Sequence, residues 1–559
     1  MFRFSSKKRR YDDIAPDEIF LDSSNLPDFD VYQFEGRMVK SISRKSIYFL
    51  GFFFFFVIGV FLWRVGTLQI KEGAIYAERS ENNRLSHTYI FSTRGTISDR
   101  NDKLLAWNIP PDEESDFALR AYTTTPGFGQ VLGYIKYPQT DSSGFYYGTE
   151  YIGDAGVEKT YDNVLNGKNG LKIIETNALM EVKSESVIEP PIKGEDLILT
   201  IDARLQEKMY ELIKNVSAEK DFAGGAGIIM DVNTGEIVSA VSYPEYDSNV
   251  LVEGTDREAI VSYNNDERKP YFNKVVSGKY TPGSIVKPFV AIGALNEGII
   301  SPTKKILSTG SISIPNRWNP ELKTVFNDWK AHGWVDMKDA LAVSSDVYFY
   351  EIGGGFEGQV GLGVARIEKY MRMFGVGEIS GVDMPGEEEG VIPNPEWKEE
   401  NFKDDPWRIG DTYNTSIGQY GFQVTLVQMV RAVGALATGG NLMTPHIVQK
   451  DTEIKKITEI SQEHFNIVKQ GMRQAVTAGT AAGLNISQMK IAAKTGTAEV
   501  GTTKRRVNSW IVGFFPYENP KYAFVVMMEK GPSSNTVGAL YVMRQLFDWI
   551  PVGAPEYLE

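Results

Sequence analysis

Between Lys45 and Arg64 the chain runs for eighteen residues without a charge, SIYFLGFFFFFVIGVFLW. A bilayer core takes about 20 apolar residues of helix, within a range of about 17–25. The run therefore predicts a membrane-spanning helix, extended by Val65 to Ile70. A buried core helix is the alternative, but five consecutive phenylalanines, Phe52 to Phe56, suit lipid better than a packed interior. A cleaved signal peptide has an apolar stretch of about 7–15 residues ending in small residues. Here RVGTLQIKEG follows instead, so the segment reads as an uncleaved signal anchor.

Lysine and arginine placement sets the expected orientation. Residues 1–45 hold nine basic residues, including Lys7 to Arg10 and Arg44 and Lys45, while the twenty residues after Trp63 hold three. The N-terminus is expected inside, with residues 1–45 a disordered cytoplasmic tail and 46–70 the anchor. The tail is +1 and Arg64 adds one more, so the −13 of the whole chain leaves −15 on the exported part. Such a part does not attract a polyanion through bulk charge, and no nucleic-acid partner is expected. The length of 559 residues calls for at least two domains. With no cysteine there is no disulfide, zinc-thiolate site or cysteine nucleophile. The four histidines, His87, His332, His446 and His464, show no metal-ligand spacing, so no metal is expected.

Residues 71–195 read as a β-rich stalk of short strands, Thr88–Ser92, Thr96–Ser98, Gln130–Tyr137 and Leu171–Glu175, cut by glycine and proline. A proline-rich joint, EPPIKG, and a following strand in EDLILTID lead into the second region, residues 196–559. It begins with an amphipathic helix, Arg204–Val216, and a hairpin, GAGIIMDV-NTGE-IVSAVSYP, whose Asn-Thr-Gly supplies a tight turn. Strands Ile491–Thr495, Asn508–Phe515 and Tyr522–Met528 and a helix over Gly538–Trp549 close it. Strands at both ends with helices between them predict an α/β (α+β) domain, an antiparallel sheet flanked by helices and contributed by both ends.

Three short segments carry chemistry. In TPGSIVKPF, Ser284 opens a helix with Lys287 one turn on, so the amine can reach the hydroxyl. The helix start also favours developing negative charge. A free lysine, pKa about 10.4, is charged at neutral pH; poising it near 7–8 takes roughly 4 kcal/mol. Only burial or a second cation supplies that. In AVSSDVYFY, Ser344, Ser345 and Asp346 suit a helix N-cap as well as a site. In AAKTGTAEV, Lys494, Thr495, Gly496 and Thr497 suit an edge strand beside a carboxylate, with glycine permitting close approach. Each segment alone also has an ordinary structural reading. Their order and spacing, 60 residues from Ser284 to Ser344 and 150 more to Lys494, form a known set, in which Lys494 is the second cation.

At these residues the chain resembles the class B penicillin-binding proteins. RGTISDRNDKLLA (Arg94–Ala106), GVEKTYDNVLNGKNG (Gly156–Gly170) and LTIDARLQ (Leu199–Gln206) are similar to family segments. MPGEEEGVIPNPEWK and SIGQYGFQVTLVQ (Ser416–Gln428) resemble the elongation-type members, penicillin-binding protein 2, more than the division type. The resemblance implies a penicillin-binding/serine β-lactamase-like transpeptidase domain on a dimerisation or pedestal domain. It implies peptidoglycan D,D-transpeptidation in the bacterial cytoplasmic membrane, without a cofactor and inhibited by β-lactams. Ser284 would be acylated, Lys287 would be its base, Ser344 would relay a proton and Lys494 would bridge to Ser344. Thr495 and Thr497 would hold the substrate carboxylate, beside Gly496 and Asp346. Stem peptides, β-lactams, a membrane glycosyltransferase of the shape, elongation, division and sporulation family and other elongation-complex proteins would be its partners.

Two departures stand out. Asp346 stands where many members carry asparagine, and a carboxylate near Lys287 or Lys494 raises lysine pKa. The family's Gly-Gln-Gly segment reads Gly418-Gln419-Tyr420-Gly421. A division-type transpeptidase, a carboxypeptidase or β-lactamase, and a non-catalytic penicillin-binding scaffold or sensor are the competing readings. The anchor and long stalk argue against a secreted lactamase, and the full motif set against a silent scaffold.

Overall fold

The computed structural model describes residues 43–77, 85–111, 115–142, 145–176, 182–316, 319, 321–450, 454–501 and 505–558. The disorder expected of the tail lies, for residues 1–42, outside them. The chain divides into two units, Met1–Ser86 with Glu175–Glu181, and His87–Ile174 with Val182–Glu559.

In the first unit α1 spans Arg44–Gly66 and runs on through a π turn to Lys71. Ser43 caps it, its hydroxyl accepting from Ser46 N at 3.2 Å. None of its side chains is buried. The 28 residues from Arg44 to Lys71 are long and apolar enough to cross a membrane; at a rise of 1.5 Å each they span about 42 Å.

The second unit opens with a four-stranded sheet. β1 (Ile97–Ser98), β2 (Leu104–Ile109), β3 (Leu119–Tyr122) and β4 (Leu197–Ile198) lie in the order β4-β1-β2-β3. Its segments are stitched by a buried ion cluster. The Glu158 carboxylate bridges Arg94 Nε at 2.6 Å and Arg120 Nε at 2.8 Å, all three side chains at most 1% exposed. Arg94 also meets Asp162 at 2.8 Å. Thus the Arg-Gly-Thr segment and the Gly-Val-Glu segment read from the sequence are partners.

The strand expected over Gln130–Tyr137 is not formed. Gly129–Leu132 is a helical turn, and only Ile135–Lys136 is extended. Gly133 has φ +75°, where an extended run cannot continue. The buried Gln130 amide donates to Pro244 O and Pro270 O, and Gly127 N and Gly129 N donate to the Glu245 carboxylate. These tertiary partners favour the turn over a ladder.

The remainder follows the expected plan. α2 (Ala203–Glu219) precedes the hairpin of β5 (Gly224–Asp231) and β6 (Ile237–Tyr243). The helices α3 (Lys287–Asn296), α4 (Met337–Val343), α5 (Asp346–Gly354), α6 (Ile409–Ser416), α7 (Leu426–Thr438) and α8 (Gln462–Ala478) come next. β7 (Ala492–Val500), β8 (Arg506–Phe515), β9 (Tyr522–Pro532) and α9 (Ala539–Gly553) end the domain. The sheet order is β6-β5-β9-β8-β7 with every neighbour antiparallel, so the two ends of the domain meet at β5–β9 and β7 is an edge.

Successive side chains of a strand face opposite sides. In β9, Ala523, Val525 and Met527 enter one core and Phe524, Val526 and Met528 a second. The second core also holds Met209 and Ile213 of α2 and Leu546 and Phe547 of α9, while α7 fills the first. Helices on both faces explain why this antiparallel strand is apolar throughout instead of alternating.

Candidate active site

Ser284 lies in a tight 3-10 turn, Gly283–Val286, that runs into α3 at Lys287. The expected helix thus begins with a narrower turn, whose three-residue repeat stacks Ser284 over Lys287. Gly283 has φ +59°, and a Cβ there would meet Thr497 O at 2.6 Å. A Cβ on Gly496 would meet Ile285 Cγ2 at 2.8 Å. Both glycines let β7 lie directly on the serine turn.

Beneath that turn two lysines share one serine. Lys287 has no exposed side-chain surface; its Nζ contacts Asp346 Oδ1 at 2.6 Å, Ser344 O at 2.9 Å and Ser344 Oγ at 3.4 Å. Lys494, also fully buried, reaches Ser344 Oγ at 2.7 Å and Thr495 O at 2.8 Å. Burial first, and then the neighbouring Lys287 charge, holds the Lys494 amine well below the usual lysine range, against the pull of Asp346. Asp346 bonds Lys287, and its effect on Lys494 is through charge alone.

The two serines between α4 and α5 have separate jobs. Ser344 ends α4 in the left-handed region, φ +59°, an arrangement that costs a non-glycine residue about 1 kcal/mol or more. Its hydroxyl is thereby placed between the amines. Ser345 is the N-cap of α5, accepting from Tyr348 N at 3.3 Å. The capping alternative raised for this segment holds for Ser345 and not for Ser344.

All eight sequence-selected residues converge. Ser284, Ser344, Asp346, Thr495, Gly496 and Thr497 line a cleft of about 1260 Å³, and Lys287 and Lys494 lie buried beside Ser344. Thr495 Oγ1 contacts Thr480 Oγ1 at 2.7 Å, and Thr497 is exposed on the edge strand.

Sequence reasoning missed Asp328. Its buried Oδ2 accepts from Ser345 Oγ at 2.8 Å, Val347 N at 3.0 Å and Ser308 Oγ at 3.2 Å. Oδ1 accepts from Trp329 N at 2.8 Å and lies 3.4 Å from His332 Nε2. Burial alone would raise this carboxyl, but the bonds from Val347, Ser345 and Asp346 and the charge of Lys287 hold it below the usual range. The one sequence signal was an acid flanked by aromatics, Phe326 and Trp329, upstream of the second motif.

The Gly418-Gln419-Tyr420-Gly421 loop has an unusual geometry. Tyr420 adopts φ +61°, in the region glycine prefers. Its ring is caged by Trp397, Phe402 and Trp407 at centroid distances of 5.8, 6.3 and 6.0 Å, with Lys398 Nζ 5.5 Å from its centre.

A serine one turn before a buried lysine, a second serine between two lysines and a Lys-Thr-Gly-Thr edge strand define a penicillin-binding class of site. The family model for the penicillin binding protein transpeptidase domain matches residues 225–547, and that for the penicillin-binding protein dimerisation domain matches 116–199. The chain belongs to the penicillin-binding protein transpeptidase family. Within it, the chain is 31% identical over 455 residues to the peptidoglycan D,D-transpeptidase MrdA of Acinetobacter baumannii, spanning 76% of this chain and 64% of that protein. Its structure is similar to that of the penicillin-binding protein PBP2 in complex with MreC from Helicobacter pylori, with TM-score 0.70 and 28% identity over 84% of this chain and 99% of that one. It is also similar to a chain of a peptidoglycan synthase complex coordinating polymerization and crosslinking, with TM-score 0.70 and 25% identity over 90% and 97%.

Proposed function

We propose that this chain is a membrane-anchored D,D-transpeptidase that cross-links peptidoglycan stem peptides through a serine acyl-enzyme during cell-wall elongation. The observation that carries this reading is the contact chain Lys494 Nζ–Ser344 Oγ–Lys287 Nζ beside the Ser284 turn, at 2.7 and 3.4 Å.

Ser284 Oγ attacks the carbonyl between the two terminal D-alanines of a donor stem. The substrate's terminal carboxylate sits against Thr495 and Thr497. Backbone N–H groups of Ser284 and Thr497 receive the oxyanion: early N–H groups of a helical turn lack intrahelical partners, and an edge strand presents unpaired ones. Each such donor contributes about 3 kcal/mol to the transition state. The buried amines take the serine proton and return it to the departing D-alanine. The amine of a neighbouring stem then attacks the acyl-enzyme, forming the cross-link and freeing Ser284. β-Lactams present the same carbonyl and carboxylate and leave Ser284 acylated.

The apolar helix Arg44–Lys71 anchors the enzyme in the cytoplasmic membrane, N-terminus inside. Similarity to MrdA, and to a PBP2 solved with MreC, supports elongation-complex partners. A membrane glycosyltransferase of the shape, elongation, division and sporulation family is the partner that supplies nascent glycan.

The test is covalent labelling of the full-length protein in detergent by a fluorescent penicillin. The intact chain gains one label that survives denaturation, and Ser284→Ala gains none. Absence of label on the wild-type chain rejects the acyl-enzyme, and a label lost within seconds points to hydrolysis instead.

A further inference from the structure

The serine turn hangs by its backbone on a segment that lies outside the three motifs. Tyr280 and Val424 exchange both backbone hydrogen bonds at 2.9 Å, and Gly283 N donates to Gly418 O at 2.9 Å. Gly418 is pressed against Gly283 so closely that any Cβ there would collide with the Gly283 carbonyl. Trp510 Nε1 of β8 donates to Thr281 O at 3.0 Å. Residues 280–283, the immediate lead-in to Ser284, are thus fixed by residues 418–424 and by β8. The middle of the 418–424 segment holds a strained residue: Tyr420, at φ +61°, has the backbone of a glycine and the side chain of a tyrosine. Such a conformation persists only where its surroundings over-determine it, and it clusters at functional sites. Here the surroundings are the cage of Trp397, Phe402 and Trp407. Lys398, its side chain 1% exposed, ties the cage together. Its Nζ bonds Asp411 Oδ2 at 2.6 Å and Pro406 O at 3.0 Å, and Asp411 also accepts from Arg408 N at 2.7 Å. The Trp397 ring occupies the space that a Cβ on Gly421 would need. Tyr420 lines the cleft, and its three aromatic partners do not.

We infer that Tyr420 is a positioning residue for the nucleophile: with its ring seated among Trp397, Phe402 and Trp407, it locks residues 418–424 and through them the backbone that carries Ser284. The inference rests on the acyl-enzyme reading above and extends it to residues outside the three motifs. The path is short and continuous. The cage fixes the ring, and the ring fixes the backbone angle of Tyr420. That angle sets where Gly418 O and Val424, on either side of it, meet Gly283 and Tyr280. A serine oxygen that must approach a carbonyl carbon to about 3–3.5 Å is sensitive to such a shift, since a displacement of about 1 Å can slow a reaction 10²-fold. The cage contacts are ring to ring, so the ring of a phenylalanine at this position makes them as well.

One experiment separates positioning from substrate contact and from simple loss of stability. Full-length protein is labelled with a fluorescent penicillin over a range of concentrations, which resolves the dissociation constant of the first encounter from the rate constant of acylation. Melting temperature is the folding control. Tyr420→Gly leaves the left-handed angle free of strain and empties the cage. Phe402→Ala opens the cage at a side chain that is 48% exposed and does not line the cleft, so this variant keeps the fold. Both variants are expected to acylate about 10-fold more slowly, with the dissociation constant within about twofold of wild type. Tyr420→Phe, which puts the ring back, is expected to restore acylation to within about threefold of wild type. Wild-type acylation rates in folded Tyr420→Gly and Phe402→Ala overturn the inference. A loss confined to the dissociation constant also overturns it, since Tyr420 is then a substrate contact, and so does a Tyr420→Phe as slow as Tyr420→Gly. If the wild-type chain itself takes no label, the acyl-enzyme reading fails and this inference falls with it.

Discussion

Replacing Asp328 by alanine removes the floor on which the second motif rests. Two buried hydroxyls, Ser345 and Ser308, and two backbone N–H groups, Val347 and Trp329, lose their shared acceptor. A buried donor left unpaired costs about 1–3 kcal/mol, and relaxation recovers part of the sum. A loss of about 4 kcal/mol is expected for Asp328→Ala, read as a fall in melting temperature of about 8–16 °C. Asp328→Asn keeps the shape and one acceptor oxygen but turns an amide N–H₂ toward donors, so about half that loss is expected. The same carboxylate orients the start of α5, which carries Asp346. Displacing a catalytic group by about 1 Å can slow a reaction 10²-fold, so folded Asp328→Asn should also acylate with penicillin more slowly. The pH dependence has a definite sign. The folded carboxyl titrates below its ordinary value, so its stabilisation is complete above about pH 4 and is lost as the pH falls through the depressed value. Melting curves from pH 7 down to 3 in wild type and Asp328→Asn measure it. If Asp328→Asn melts within about 1 °C of wild type and acylates at the same rate, the claim that Asp328 positions the motif is wrong.

Three further outcomes follow from separate regions. Arg94→Ala leaves the fully buried Glu158 with one cation instead of two, and is expected to cost about 3–5 kcal/mol by melting while the penicillin acylation rate of the folded protein is unchanged. Trp397→Ala opens the cage around the left-handed Tyr420 and is expected to cost about 3 kcal/mol and to raise protease cutting near Gly418–Gly421. Burial pushes the Glu245 carboxyl up to about 7, against hydrogen bonds from Gly127, Gly129 and Tyr210. A raised acid adds stability below its unfolded value, near 4.3, and loses it as the pH rises through about 7, so Glu245→Gln should flatten the melting-temperature profile between pH 5 and 8.

The parts of the fold legible from sequence were those specified by local pattern. The β5–β6 hairpin follows from two apolar runs around the Asn-Thr-Gly turn, and α2 from Leu205, Met209, Leu212 and Ile213 on one face. The three motifs were legible because spacing along the chain survives as chemistry in the cleft. What was not legible depends on partners distant in sequence. Gln130–Tyr137 reads as a strand until Pro244 and Pro270, more than a hundred residues away, accept from the Gln130 amide and Glu245 takes the N–H groups of Gly127 and Gly129 just before it. Ser344 and Ser345 are indistinguishable by composition; the left-handed turn at Ser344 separates them. Asp346 is a simple departure in the sequence, and only its 2.6 Å bond shows which lysine it serves.

The strand order of the large sheet also dictates when this protein can fold. β5 pairs with β9 from Gly224↔Glu529 to Asp231↔Tyr522, so the hairpin waits for partners made some three hundred residues later. Lys494 and the Lys-Thr-Gly-Thr strand emerge near the end as well. Contacts so far apart in the chain make folding slow. Until β9 has been made, β5 and β6 present an open apolar edge of the kind that pairs with other chains. Completion of the site and burial of that edge are therefore one late event, and a chain cut short after Val500 has neither.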